Sequence, residues 1–503
     1  MFQFLYFTQL SAVLLLLLTV IVVYIIYNSI ERKSAEETAD CLPQPPTPRG
    51  LPIIGHLHLL GGYEVPYQAF SALGKKYGNV IGLKLGTVKS VIVNGQESIR
   101  EILVTKGHHF DNRPNFERYQ HLFGGNKENS LAFCNWSETQ RTRREILRAY
   151  TFPRAFTNKF ISLEEIVNIE TDKMLSQLSS NNVTFKPLLL QSCANIFTGH
   201  FCSRKFTYDN KNFAQMVDNF DGVFYEVNQG YAADFLPFLL PLHYKNIAKM
   251  NNLAHSIRKF IEEDIIGDRY NTFSDDEPSD FVESLIKHVK HTEDSKMDWD
   301  MALFALEDII GGHSAIGNFL MKLLAYIVNE PEVQRKIQME IDSVTLEGSS
   351  FRKVCLSDRS ACPYTEGAIF EAIRLIASPI VPRVANQDTS VNGFRIKKDT
   401  LVFLNNYDLS MSEKLWDEPE KFLPERFVVD NHVVKPEHFL PFGGGRRSCM
   451  GYKMVQLVSF GILASLLQQF TIQPLPNEQY KVPIGNLALP KDTFSFKFVR
   501  RNL

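Results

Sequence analysis

The chain has 503 residues, 44% of them hydrophobic, 12% aromatic and 22% charged, a composition that excludes a disordered or fibrous protein and supplies apolar mass for a large core. Its 54 Lys+Arg against 56 Asp+Glu leave a net charge of -2, so no global positive field holds a polyanion and nucleic-acid binding is excluded as the main function. Seven cysteines without a CxxC pair argue against a disulfide framework and for a reducing compartment.

Met1 to Ile30 carries no charged residue, and Ala12 to Tyr27 is apolar apart from Thr19. That run suits the ~20 residues a helix needs to cross ~30 Å of hydrocarbon. A cleaved signal peptide would need a basic start, and Met1 to Gln9 has no Lys or Arg, so residues 1–30 read as a retained single-pass membrane anchor. Positive charge first appears at Arg32 and Lys33, which leaves the C-terminal bulk in the cytosol. Residues 31–55 form a charged, proline-rich linker, and its Leu42-Pro-Gln-Pro-Pro-Thr-Pro-Arg-Gly-Leu-Pro stretch favours extended polyproline geometry. Residues 56–503 read as one globular domain.

Within it, Val80 to Lys84 and Ser90 to Val93 predict a β-hairpin around Gly86-Thr87, followed by a helix over Gln96 to Thr105. Helical spacing then dominates: Ser137 to Ala149, Phe160 to Leu178, Phe213 to Val227, Ile247 to Ile265, Asp280 to His291, Trp299 to Val328, Pro331 to Val344 and Thr365 to Ile376. Short β-like runs return at Val391 to Ile396, Leu401 to Asn405 and Phe494 to Val499. The fold class is therefore mainly α with a small β region (α+β), its strands drawn from both ends of the chain.

The segment that carries chemistry is Phe442-Gly-Gly-Gly-Arg-Arg-Ser-Cys-Met-Gly451, followed by an apolar helix over Tyr452 to Phe470. Consecutive glycines allow the tight turns that side chains forbid. Cys449 precedes a helix N-terminus, where unpaired N–H groups and the macrodipole favour thiolate over thiol. A lone cysteine before an apolar helix is otherwise a buried core thiol; the glycines and Arg447 favour a metal ligand.

Phe442, Gly445, Arg447, Cys449 and Gly451 match the Phe-x-x-Gly-x-Arg-x-Cys-x-Gly haem loop of the cytochrome P-450 superfamily, which the chain resembles over residues 43 to 503. The resemblance implies the cytochrome P-450 fold preceded by one N-terminal transmembrane helix. It implies haem b with Cys449 as axial thiolate, a ligation that favours O–O cleavage, and Arg447 on a haem propionate. Arg383, in Pro379-Ile-Val-Pro-Arg383, resembles a second propionate arginine. Glu371-Ala-Ile-Arg374 and Arg426, in Pro419 to Phe427, resemble the family's buried structural triad. The family's Trp-x-x-x-Arg becomes Gln140-x-x-x-Arg144, with Trp136 one turn early; Arg144 reads either as a propionate partner or as part of a solvated basic face with Arg141, Arg143 and Arg148. The resemblance further implies an endoplasmic-reticulum enzyme taking O2 and electrons from NADPH through cytochrome P-450 reductase, with Phe235 to Leu242 touching the lipid membrane.

Counting back from Asn329-Glu-Pro-Glu332 places Gly311-Gly-His-Ser-Ala-Ile316 on the family motif Ala/Gly-Gly-x-Asp/Glu-Thr-Thr/Ser. Gly312, His313, Ser314 and Ala315 are thus the candidate catalytic positions. Ser314 replaces the acid, and Ala315 replaces the threonine whose hydroxyl helps deliver protons during dioxygen activation. His313 also reads as a polar residue on a helix face. Three readings stay open: a monooxygenase whose relay is replaced by Ser314, His313, Asn318, water or a substrate hydroxyl; a thiolate-haem isomerase or dehydratase; and a haem or sterol binding protein. The Gly311 to Asn318 variant resembles the spook and spookier type of insect enzymes of early ecdysteroid synthesis, which implies a sterol substrate.

Overall fold

The computed structural model describes Thr19, residues 42–178, 185–274, 277–291 and 297–502. The expected anchor, apart from Thr19, and residues 31–41 of the linker lie outside the described residues, and among those described no helix is long and apolar enough to cross a membrane.

After the helix Pro66–Tyr77 (α1), the chain forms the expected hairpin, Val80–Leu85 (β1) and Val88–Val93 (β2), in register from Val80 opposite Val93 to Leu85 opposite Val88. Gly86 takes φ +57, and a Cβ there would collide with the Phe235 carbonyl, so glycine serves both the turn and a close approach. The stretch expected as one helix over Gln96 to Thr105 is α-helical only over Gln96–Arg100 and widens into a π turn at Glu101–Thr105. Helices Glu138–Thr151 (α2) and Asn158–Gln177 (α3) follow, each capped by a side chain, Ser137 and Thr157 accepting from Gln140 N and Phe160 N.

A long helix that periodicity missed, Phe185–Cys202 (α4), runs through the core with nearly every residue buried. Its apolar residues surround the axis, so no polar face marks it as amphipathic. Next come Lys211–Val227 (α5), Trp299–Ile310 (α6) and Gly312–Asn329 (α7). The helix expected over Trp299 to Val328 is thus two segments that meet at Gly311. Glycines let this central element sit tightly on α4: a Cβ on Gly312 would lie 2.9 Å from Phe197 Cε1, and one on Gly317 would lie 2.6 Å from Leu190 Cδ2.

Pro363–Ile376 (α8) leads to Arg383–Val384 (β3) and Leu401–Leu404 (β4). The sheet order β1-β2-β4-β3, with β4 parallel to β2 and antiparallel to β3, joins the two ends of the domain. The apolar helix Tyr452–Gln469 (α9) ends the core, and Phe470–Gln473 pairs with Lys497–Arg500.

Polar side chains of the central helix clip the segment 480–490 onto it. Buried Lys322 donates to Pro483 O at 3.0 Å and to Asn486 O, Asn329 Nδ2 to Tyr480 O at 3.0 Å, and Leu489 N to Asn318 Oδ1 at 2.9 Å. Burial pushes the Lys322 pKa down from 10.5 to about 7. Between those values the unfolded chain holds a proton that the folded chain has released, so raising the pH through that window favours the folded state. Lys322→Met removes this titration. The stability of the wild type relative to the variant is expected to rise between pH 7 and pH 9 by up to about 1.4 kcal/mol per unit, read from urea midpoints at both pH values.

Candidate active site

The loop 442–451 turns through Gly443 and Gly445, at φ +67 and +64. A Cβ on Gly445 would strike the Leu103 carbonyl, which seats the loop against the π turn Glu101–Thr105. Cys449 N donates to Phe442 O at 3.0 Å, closing the loop before α9, and the Phe442 and Tyr452 rings lie 5.9 Å apart. Gly451 caps α9. Its N–H and that of Tyr452 point to the thiol and, with Arg144, lower its pKa, but burial outweighs them and the net shift is upward. The helix terminus and Arg144 thus favour the anion at Cys449, against the cost of burying it. Cys449 is exposed among the described residues.

Four arginines converge beside this loop. Arg447 Nη2 donates to Ala132 O and Cys134 O at 3.2 and 2.8 Å, Arg113 Nε to Ala132 O at 3.0 Å, and Arg144 Nη2 to Ser448 O at 2.6 Å. Arg383 enters from β3. Burial and mutual repulsion push Arg383 down to about 9 and Arg144 to about 10, and depress Arg113 as well. Arg383 Nη1 and Arg447 Nε are buried without a partner. Concentrated cations with unspent donors call for an anion, and the two carboxylates of the haem implied by the loop fit this donor set. Arg113 escaped the sequence reading because no motif surrounds it; only the fold brings residue 113 beside residues 383 and 447.

The basic face expected on α2 is divided. Arg141 and Arg148 are exposed, Arg143 is buried and donates to Glu128 O and Asn129 O, and Arg144 turns toward the cysteine loop. Gln140, at the family's tryptophan position, is buried with Nε2 on Leu131 O at 2.6 Å. Trp136 stacks instead on Arg446, 4.5 Å from ring centre to guanidinium.

Glu371, Arg374 and Arg426 meet. Arg374 grips Glu371 through two bonds of 2.8 and 2.7 Å, Arg426 Nε reaches Glu371 Oε1 at 3.1 Å, and Leu423 N donates to the same oxygen at 3.0 Å. Arg374 also donates to the carbonyls of Ser410, Pro419 and Lys421. The cluster ties α8 to residues 410–426, and none of its bonds reaches the cysteine loop.

The structure separates the four catalytic candidates. Gly312 and Ala315 remain partly open, while His313 and Ser314 are sealed in the core. His313 Nδ1 donates to Ile310 O at 2.6 Å, leaving Nε2 to accept from Ser314 Oγ at 3.3 Å. The His313 ring packs edge-on against Phe220. Burial pushes His313 down to about 4, so at neutral pH it is uncharged, and its one ring proton is held on Ile310 O. The structure thus places the His313 and Ser314 side chains in the interior of the helix junction. Asn318 extends the same network, Nδ2 donating to Ser314 O at 2.8 Å and to Asp221 Oδ1 at 2.7 Å, and Lys186 Nζ holds Asp221 Oδ2 at 2.7 Å.

Residues 45–498 match the family profile described as Cytochrome P450. Cytochrome P450 307a1 of Drosophila melanogaster is 39% identical over 481 residues, covering 90% of this chain and 88% of that one. Cytochrome P450 1A1 of Sparus aurata is 29% identical over 495 residues, with 93% and 92% covered. The rat protein of the same name is 30% identical over 465 residues, with 87% and 86% covered.

Proposed function

Because the chain belongs to the cytochrome P450 family, and so is a haem-thiolate monooxygenase using O2, a redox partner and a hydrophobic substrate, we propose that it oxidises a sterol in an early step of ecdysteroid synthesis. The haem, when bound, supplies reductive activation of O2 and transfer of one oxygen atom to the substrate. In this reading Cys449 would hold the haem iron through its thiolate, with Phe442, Gly445 and Gly451 shaping its loop. Arg447, Arg383, Arg144 and Arg113 take the propionates. Gly312 and Ala315 would line the reacting face, Gly312 seated against Phe197 of α4 and Ala315 offering only a methyl group.

The observation that carries the sterol reading is the stretch Gly311 to Asn318, whose Ser314 and Ala315 resemble the insect ecdysteroid branch; the higher identity to an insect relative than to the vertebrate ones agrees with it. The test is product identification by mass spectrometry from enzyme, cytochrome P-450 reductase, NADPH and a panel of sterols that includes 7-dehydrocholesterol. An oxygenated sterol formed with NADPH consumption is the expected result. No conversion of any sterol overturns the substrate class, and conversion without NADPH consumption assigns rearrangement or dehydration instead.

Electrons come, in the same reading, from cytochrome P-450 reductase docked on a basic groove lined by Arg148, Arg154, Lys159, Arg359 and Lys453, with the single acid Glu145. The enzyme sits on the cytosolic face of the endoplasmic reticulum. Ile53, Phe238 and Leu242 are 70%, 63% and 78% exposed. Their segments converge at one end of the β1–β2 hairpin, where Gly55 bridges Leu85 and Thr87 N donates to Phe235 O. Deleting residues 1–30 is expected to release most of the protein from microsomes with haem content unchanged, a residue of binding persisting through this apolar surface. Vesicle flotation and the haem spectrum check both halves.

A further inference from the structure

The accessible residues of the central helix follow a stripe. Asp308, Gly311, Gly312 and Ala315 are partly open, while Leu306, Glu307, Ile309, Ile310, His313, Ser314 and Ile316 are buried. The spacing i, i+3, i+4, i+7 marks one face of a helix. Asp308 is the one side chain on that stripe able to form a hydrogen bond.

Its two oxygens are used differently. Oδ2 accepts from Ser130 Oγ at 2.9 Å, Leu131 N at 2.6 Å and Ala132 N at 3.3 Å. Oδ1 takes none of these bonds and is not among the buried polar atoms lacking a partner, so it is open. Burial raises the Asp308 pKa while the Oδ2 bonds and Arg143 lower it; like Cys449, the group is deep yet reachable. Ala132 links the two regions, its N–H on Asp308 and its carbonyl receiving Arg113 and Arg447. Asp308 thus stands one residue away from the arginine cluster, on the open face of the helix that carries Gly312 and Ala315.

We propose that Asp308 determines substrate specificity by accepting, at Oδ1, a hydrogen bond from a hydroxyl of the substrate. The inference rests on the sterol reading and deepens it. An ionised carboxylate only accepts. A ligand lacking a donor at that point strips water from Oδ1 and returns nothing. Seven residues separate Asp308 from Ala315, about 10 Å along the helix axis, so the bond also fixes which carbon of the substrate lies under Ala315. The distance is too long for Asp308 to hand a proton directly to a group at Ala315, which is why the role is binding.

The test titrates the Soret shift of the holoenzyme with a 3-hydroxysterol, its 3-ketone and its 3-deoxy hydrocarbon. Wild type is expected to bind the hydroxysterol roughly ten- to a hundredfold more tightly than the hydrocarbon. Asp308→Asn keeps a carbonyl for the donors of residues 130–132 and presents an NH2 group in place of Oδ1. The variant is expected to lose the preference for hydroxyl over ketone, with haem content retained. Equal affinity of wild type for hydroxysterol and hydrocarbon overturns the proposal, and so does a variant that keeps the wild-type ratio. If Asp308→Asn fails to bind haem, the wild-type ratio decides alone. If no sterol shifts the wild-type spectrum, the proposed substrate class falls, and a long-chain alcohol against its alkane gives the Asp308 result by the same titration.

Discussion

Cys449→Ser is expected to abolish both the thiolate-type Soret band of the reduced carbon monoxide complex and all turnover. A serine hydroxyl is a hard, weakly acidic donor, whereas the loop is built around a soft anion: the Gly451 and Tyr452 N–H groups and Arg144 all favour negative charge at that atom. The backbone bond from residue 449 to Phe442 O survives the substitution, so the loop keeps its course and the loss is one of ligation. The remaining described cysteines behave otherwise. Burial raises the thiol pKa of Cys193, Cys202 and Cys362, making them inert core groups, and Cys355 lies outside the site. Cys134, with Sγ 3.8 Å from Arg447 Nη1, is the one other cysteine whose replacement should perturb haem binding, and only mildly, because the stronger Arg447 bond goes to its carbonyl. Cys41 lies outside the described residues. A retained thiolate band in Cys449→Ser would remove the axial ligand from this residue.

What the sequence disclosed and what it hid follow from the range of the interactions involved. The β1–β2 hairpin, the capped helices and the cysteine loop are local, and alternation, caps and glycines declared them. The helix α4 was hidden because burial on every side erases amphipathic periodicity. The break at Gly311 was hidden because glycine continues a helix pattern as readily as it interrupts one. At the site, Cys449, Arg447, Arg383 and Arg144 came from a motif and a resemblance. Arg113 and Asp308 belong to the same surroundings through residue 132, and no spacing in the sequence links 113, 132, 308 and 447. The orientation of the His313 and Ser314 side chains is hidden for a related reason. A motif gives position along a helix, and which way a side chain faces depends on the elements packed against it, here α4 and α5.

That facing decides the second prediction. Restoring the family residues at positions 314 and 315 is expected to give opposite results at the two sites. Ser314→Glu inserts a longer, charged group into a sealed space bordered by His313, Phe220 and the Asp221–Asn318–Lys186 network. Lys186, the cation bonded to Asp221, is already engaged by it and by the carbonyls of Leu489 and Pro490. Overpacking and an unpaired buried carboxylate beside Asp221 should together cost about 3 to 5 kcal/mol or more, seen as a lower thermal midpoint and lost haem. Ala315→Thr lies on the open stripe, and a threonine hydroxyl in a helix can bond back to a carbonyl one turn earlier, so haem content and stability should stay near wild type. Its effect on catalysis then separates two histories. If the substrate brings its own hydroxyl to the reaction, the added alcohol is redundant and only narrows the space, and product formed per NADPH consumed stays level or falls. If the lineage merely lost an efficient proton route, that ratio rises and hydrogen peroxide release drops. The expected outcome is the first, because an alanine at 315 beside two glycines leaves the open face shaped for a ligand that supplies the polar groups the helix omits; a rise in coupled turnover for Ala315→Thr on the native substrate would refute it.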